Sequence, residues 1–127
     1  VLAINTMVNS SKRESTFRPL IFVACLGFII MSATILYALI FGNLSIEGPQ
    51  LVDMPWGLVS LVDIYLGLVL FSLWVIWREE YSLIGLLWII LIIALGNMIS
   101  CIYIIKACCQ AQGNISKFWL GSQMSKL

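Results

Sequence analysis

The chain has 127 residues, of which 61% are hydrophobic and 10% charged, and its mean hydropathy is +1.04. A soluble domain of this size must wet its exterior and does not carry so much apolar surface. A net charge of +1 gives no electrostatic case for nucleic acid, and the absence of histidine removes the commonest metal ligand, the usual general base and bis-imidazole haem binding.

The first stretch, 1–19, is a polar N-terminal tail with Lys12, Arg13 and Arg18 against a single acid, Glu14. It begins at Val1 rather than Met and reads as an ordinary cytosolic tail ahead of the end of a transit-type segment. The first apolar run then predicts a membrane helix over about 20–41, with Pro19 suited to its start and Arg18 as an interfacial anchor. Gly42 and Asn43 end it, and the segment 44–54, with Gly48–Pro49 as turn chemistry, reads as a polar loop. Pro55 opens a second span, about 55–77, bounded by Trp56 at one interface and by Trp74 and Trp77 at the other. Arg78, Glu79 and Glu80 read as a short solvated connector, short enough to make the next span, about 83–106, an antiparallel neighbour. The rest, 108–127, reads as a polar tail.

The expected architecture is therefore all-α, with three transmembrane helices in one membrane domain over 20–107 and the second and third as an antiparallel hairpin. The basic residues of the N-terminal side and of the second connector face a first loop that holds only Glu47 and Asp53. That asymmetry predicts an N-terminus on the cytoplasmic, stromal or matrix side. The C-terminus follows on the opposite side, although Lys106, Lys117 and Lys126 run against this. A chloroplast membrane or an endomembrane are both open as the compartment.

Asp63 is the outstanding polar residue, an acid within a span, where an unpartnered carboxylate costs several kcal/mol. At about 1.5 Å of rise per residue, Asp63, Asn97 and Thr34 fall at similar depths, roughly 10–13 Å below one boundary. Ser60, Asp63, Gly67 and Trp74 share a helix face, and Gly96 and Ser100 make a small-xxx-small pair beside Asn97 and Cys101. Asp63, Asn97, Thr34, Ser60 and Ser100 are thus candidate intramembrane polar contacts, with Gly67 and Gly96 as helix-packing positions. A transport path would call for further acids or a broken helix, and the sequence reads as having neither. Cys25, Cys101, Cys108 and Cys109 form no metal-ligand spacing. Cys108–Cys109 read as two unmodified interfacial thiols, and the glycosylation triplets at Asn9, Asn43 and Asn114 as chance.

Several of these residues fall in a familiar order. Pro55, Trp56, Asp63 and Tyr65; Trp74, Val75, Trp77, Arg78 and Glu79; Trp88 to Ile90; Gly96; and Cys101 with Tyr103 resemble a small family of plant and bacterial membrane proteins known only as a domain of unknown function. The resemblance covers about 20–107. It implies a three-helix membrane protein and brings no activity, cofactor or catalytic residue.

The expected function is binding rather than catalysis: an accessory or scaffold subunit, with the bilayer and the helices of a larger membrane complex as partners. No cofactor is expected, and lipid or pigment contact stays open. The alternative is a minimal proton- or ion-coupled transporter element using Asp63.

Overall fold

The computed structural model describes residues 1–7 and 17–127; Lys12, Arg13, Glu14 and the Asn9 triplet lie outside the described residues. The described chain is helical: α1 Leu2–Phe41, α2 Leu44–Asp53, α3 Pro55–Arg78, α4 Leu83–Leu95, α5 Asn97–Ala111, α6 Ile115–Leu120 and a closing 3₁₀ helix Gly121–Lys126. Two of these, Phe17–Phe41 within α1 and Pro55–Arg78, are long and apolar enough to cross a membrane.

The expected third span, 83–106, is not one helix. Gly96 breaks it with φ +66° and ψ −142°, a conformation essentially reserved for glycine. Its N–H closes α4 by donating to the Ile92 carbonyl at 2.7 Å. The halves, 13 and 15 residues long, rise only about 20 Å each, short of a hydrocarbon core of about 30 Å. They fold back on one another, bringing Trp88 of α4 and Tyr103 of α5 to 5.2 Å between ring centroids. A straight helix would hold those residues about 22 Å apart. The broken helix that the sequence reading lacked is therefore present, and the C-terminal segment returns to the end where the 79–82 connector lies instead of reaching the opposite end.

Three further expectations need correction. Pro19 lies inside α1 rather than at its start. The expected polar loop is the helix α2, whose N-cap Asn43 accepts a hydrogen bond from the Ser45 N–H at 3.2 Å. It packs so closely on α3 that a Cβ at Gly57 would sit 2.1 Å from the Leu51 carbonyl oxygen. The polar tail 108–127 is helical and docked, because Cys108, Ala111 and Phe118 bury apolar surface.

Two clusters of buried residues hold the helices together. Leu68, Val75, Ile92, Ile99 and Tyr103 fill the junction of α3, α4 and α5. Phe17, Ala107, Cys108, Ala111 and Phe118 fill that of α1, α5 and α6. The small residues at 107, 108 and 111 let α1 approach α5, and the two run antiparallel: Phe17 meets the end of α5, Cys101 lies against Gly27, and the Ser32 hydroxyl donates to the Met98 sulfur at 3.5 Å. As α5 lies between α1 and α3, a groove stays open over it.

Candidate functional site

At the end where the connector, α5 and α6 meet, Arg78 is 1% exposed. The expected solvated connector is thus buried at its first residue. α3 ends there because Glu80 and Tyr81 take up left-handed backbone, both at φ 56°. The break at Gly96 then brings α5 back across the guanidinium. Its Nε donates to the Phe118 carbonyl at 2.9 Å, Nη1 to the Tyr103 hydroxyl at 3.1 Å and to Glu79 at 3.3 Å, and both Nη atoms to Gln110 at 3.4 Å. The Tyr103 hydroxyl donates to Glu79 at 2.8 Å, and Lys106 Nζ donates to the same carboxylate oxygen at 2.9 Å. Burial pushes the Glu79 carboxyl up, but hydrogen bonds from Lys106 and Tyr103 and the charges of Lys106 and Arg78 outweigh it and hold the group below its ordinary value.

Aromatic rings wall this network. The guanidinium carbon lies 5.6 Å from the Tyr103 ring centre, and Lys106 Nζ lies 5.2 Å from that of Trp88, within cation–π range. Gly121 completes the seat. Its φ is +52°, and a Cβ there would come within 2.5 Å of Arg78 Cγ. Sequence reasoning missed this centre because its members are far apart in the chain; the Gly96–Asn97 pair, the same dipeptide that ends the first apolar run at Gly42–Asn43, was the one signal that could have joined them.

From the aromatic wall the groove runs along α5. Its outer part, a hollow of about 420 Å³, is lined by Leu20, Phe71, Trp74, Ile104, Phe118 and Trp119. Its deeper part, about 360 Å³, shares Phe71 and Ile104 and adds Gly67, Leu68, Asn97, Ser100 and Cys101. Three of the expected site residues, Gly67, Asn97 and Ser100, therefore meet there. The Ser100 hydroxyl is buried and has no hydrogen-bond partner among the described residues. Asn97 opens α5 with no side-chain cap, which leaves the positive end of that helix at the groove. Gly67 has open space where a Cβ would stand, so it is a gap in the α3 wall and not the close-packing contact expected; Gly96 too is a break and not a packing position.

The other expected contacts do not converge. The Thr34 hydroxyl donates to the Ile30 carbonyl at 2.8 Å and that of Ser60 to the Trp56 carbonyl at 2.9 Å, each within its own helix. Asp63 is exposed in a shallow hollow among Leu58, Val59, Val62 and Leu66, and no hydrogen bond joins it to Asn97 or Thr34 among the described residues. It stands one turn from Gly67 on the groove side of α3. Cys108 is buried and Cys109 exposed.

No curated protein and no solved structure matches the chain. A family profile described as "Protein of unknown function (DUF1475)" matches residues 3–120, which takes in both long apolar helices, the broken pair and α6, and the chain belongs to that family.

Proposed function

We propose that this is an integral membrane protein that acts by binding, an accessory subunit that seats a helix of a larger membrane complex in the groove between α1 and α3. The observation that carries this is the floor of the groove, where a gap at Gly67, small side chains at Ser100 and Cys101 and an unpartnered Ser100 hydroxyl line one hollow. Small residues let helix backbones approach within a bilayer, and a hydroxyl held in hydrocarbon gains most from a partner across the interface. The outer faces of α1 and α3 are exposed and apolar, as suits contact with lipid.

In this reading Phe17–Phe41 and Pro55–Arg78 span the membrane and α4–α5 form a re-entrant hairpin. Arg18, Arg78, Lys106, Lys117 and Lys126 then lie at one end, and Lys12 and Arg13 precede the first span on that side in the sequence; the other end holds Glu47 and Asp53. Basic excess marks the cytoplasmic, stromal or matrix face, so both termini belong there. Gly67→Leu tests the function, since a Cβ there meets nothing within 4 Å and the side chain would extend into a hollow of about 360 Å³. Purified in mild detergent, the wild type should bring larger membrane partners with it, cross-linkable from Cys101, and Gly67→Leu should lose them while staying folded. An unchanged set of partners with Gly67→Leu would remove the reading.

One observation favours a second reading. If α4–α5 lie in the bilayer as proposed, the break at Gly96 leaves a helix N-terminus inside it, as the substrate sites of secondary transporters do, with Asp63 a turn from the groove. A minimal transporter element would give solute flux in liposomes from the purified chain alone, abolished in Asp63→Asn.

A further inference from the structure

The network around Arg78 holds two cations and one carboxylate. Arg78 and Lys106 share a single oxygen of Glu79, at 3.3 and 2.9 Å, while Glu80 faces Lys126 at 3.8 Å, an ion pair without a hydrogen bond. Among the described residues one elementary positive charge is therefore left without a counter-charge, at a site where Arg78 is 1% exposed and the Lys106 side chain 27%. An uncompensated charge taken out of water is costly, so the site favours an anion. An opening exists for it. A cleft of about 330 Å³ is lined by Arg78, Gln110, Lys117, Gly121 and Ser122, beyond α6 from the apolar groove. Among the described residues Arg78 Nη2 meets only Gln110, at 3.4 Å, which leaves one of its N–H donors without an acceptor there. Lys117 and Ser122 at the rim are exposed, and the Lys117 ammonium has no ion pair among the described residues. A guanidinium, an ammonium, an amide and a hydroxyl converging on one cleft suit the several acceptor oxygens of a phosphate. Trp77 and Trp119 lie at the same end, and rings of this kind sit at headgroup level in a membrane.

We propose that this cleft binds the phosphate of an anionic phospholipid, with Arg78 as its fixed charge and Lys117 closing over it. The inference is independent of what occupies the apolar groove. Because Arg78→Gln would break the fold's own bonds, the test uses the exposed rim. The purified full chain is incubated with phosphatidylglycerol or phosphatidylcholine and bound lipid is read by native mass spectrometry, with circular dichroism and gel filtration as controls of folding. Phosphatidylglycerol should be held at least tenfold more tightly than phosphatidylcholine. At about fivefold per charge near a membrane surface, Ser122→Asp should weaken it about fivefold and Lys117→Glu about 25-fold. Displacement by millimolar inorganic phosphate would support the phosphate site but assign it to a soluble ligand. Equal retention of the two lipids, or phosphatidylglycerol binding unchanged in both folded variants, would overturn the proposal.

Discussion

Replacing Gly96 by alanine separates the backbone strain of the break from the contacts that hold the hairpin shut. Open space surrounds its Cα, so the added methyl group clashes with nothing, and the cost is the φ of +66° alone, about 1–3 kcal/mol. Alanine also favours the competing form, a continuous helix from Leu83 to Ala111, which would rise about 43 Å and carry the C-terminal segment across a bilayer. Against it stand the bonds that only the folded-back hairpin makes: Tyr103 to Glu79, Lys106 to Glu79 and Arg78 to Tyr103. Charge-assisted bonds are worth about 1.5–3 kcal/mol each, so together they outweigh one strained residue. Gly96→Ala alone should leave the topology intact and lower the resistance to unfolding by about 1–3 kcal/mol. Gly96→Ala with Tyr103→Leu should populate the straightened form. The assay is labelling by an impermeant maleimide in sealed vesicles, with a single reporter at Ser125→Cys or Gln50→Cys and the native cysteines replaced by alanine. In the wild type the two reporters should label from opposite sides, and in the double variant a fraction of the Ser125 reporter should appear on the side of Gln50. Labelling of both wild-type reporters from the same side would refute the re-entrant hairpin.

Tyr103→Phe keeps the ring against Trp88 and Trp74 but deletes a hydroxyl with two bonds to charged groups; thermal unfolding in detergent should show a loss of about 1.5–3 kcal/mol. Glu79 should make the protein acid-sensitive. Its folded pKa lies below the ordinary 4.5, so its contribution is present above that value and is lost as pH falls through the folded pKa; a melting series downward from pH 6 should lose stability below about 4.5, and Glu79→Gln should flatten that limb. Gln112 holds a left-handed conformation, φ 49° and ψ 43°, at the exposed C-cap of α5. Gln112→Gly relieves it and should raise stability by roughly 0.5–1 kcal/mol, detectable as a higher melting temperature.

Much of the fold was legible because apolar runs and prolines act locally. The limits of α3 follow from Pro55 and the charged step at Arg78, and the α3–α4 turn from the short connector. What stayed hidden was the break in 83–106. Apolar residues resume directly after Gly96 and Asn97, and a glycine within an apolar run is as well read as a packing position as a stop. Only the pull of distant partners decides between them: Tyr103 and Lys106 find Glu79, and Gln110 finds Arg78, when the chain doubles back. The same long-range pairing explains why Arg78 looked like a solvated residue.

The charge pattern acquires its meaning from that one break. In a straight third helix, Lys106, Lys117 and Lys126 sit across the membrane from Arg78 and contradict the orientation suggested by Lys12, Arg13 and Arg18. With the chain folded back at Gly96, Lys106 and Lys126 instead pair with the acids of the connector, and Lys117 stands at the cleft beside Arg78. On the proposed two-span reading, the anomaly in the distribution of basic residues is itself a sign of an even number of crossings. Two full spans plus a hairpin that enters and leaves on one side satisfy the hydropathy and the charges together, whereas three spans satisfy only the hydropathy.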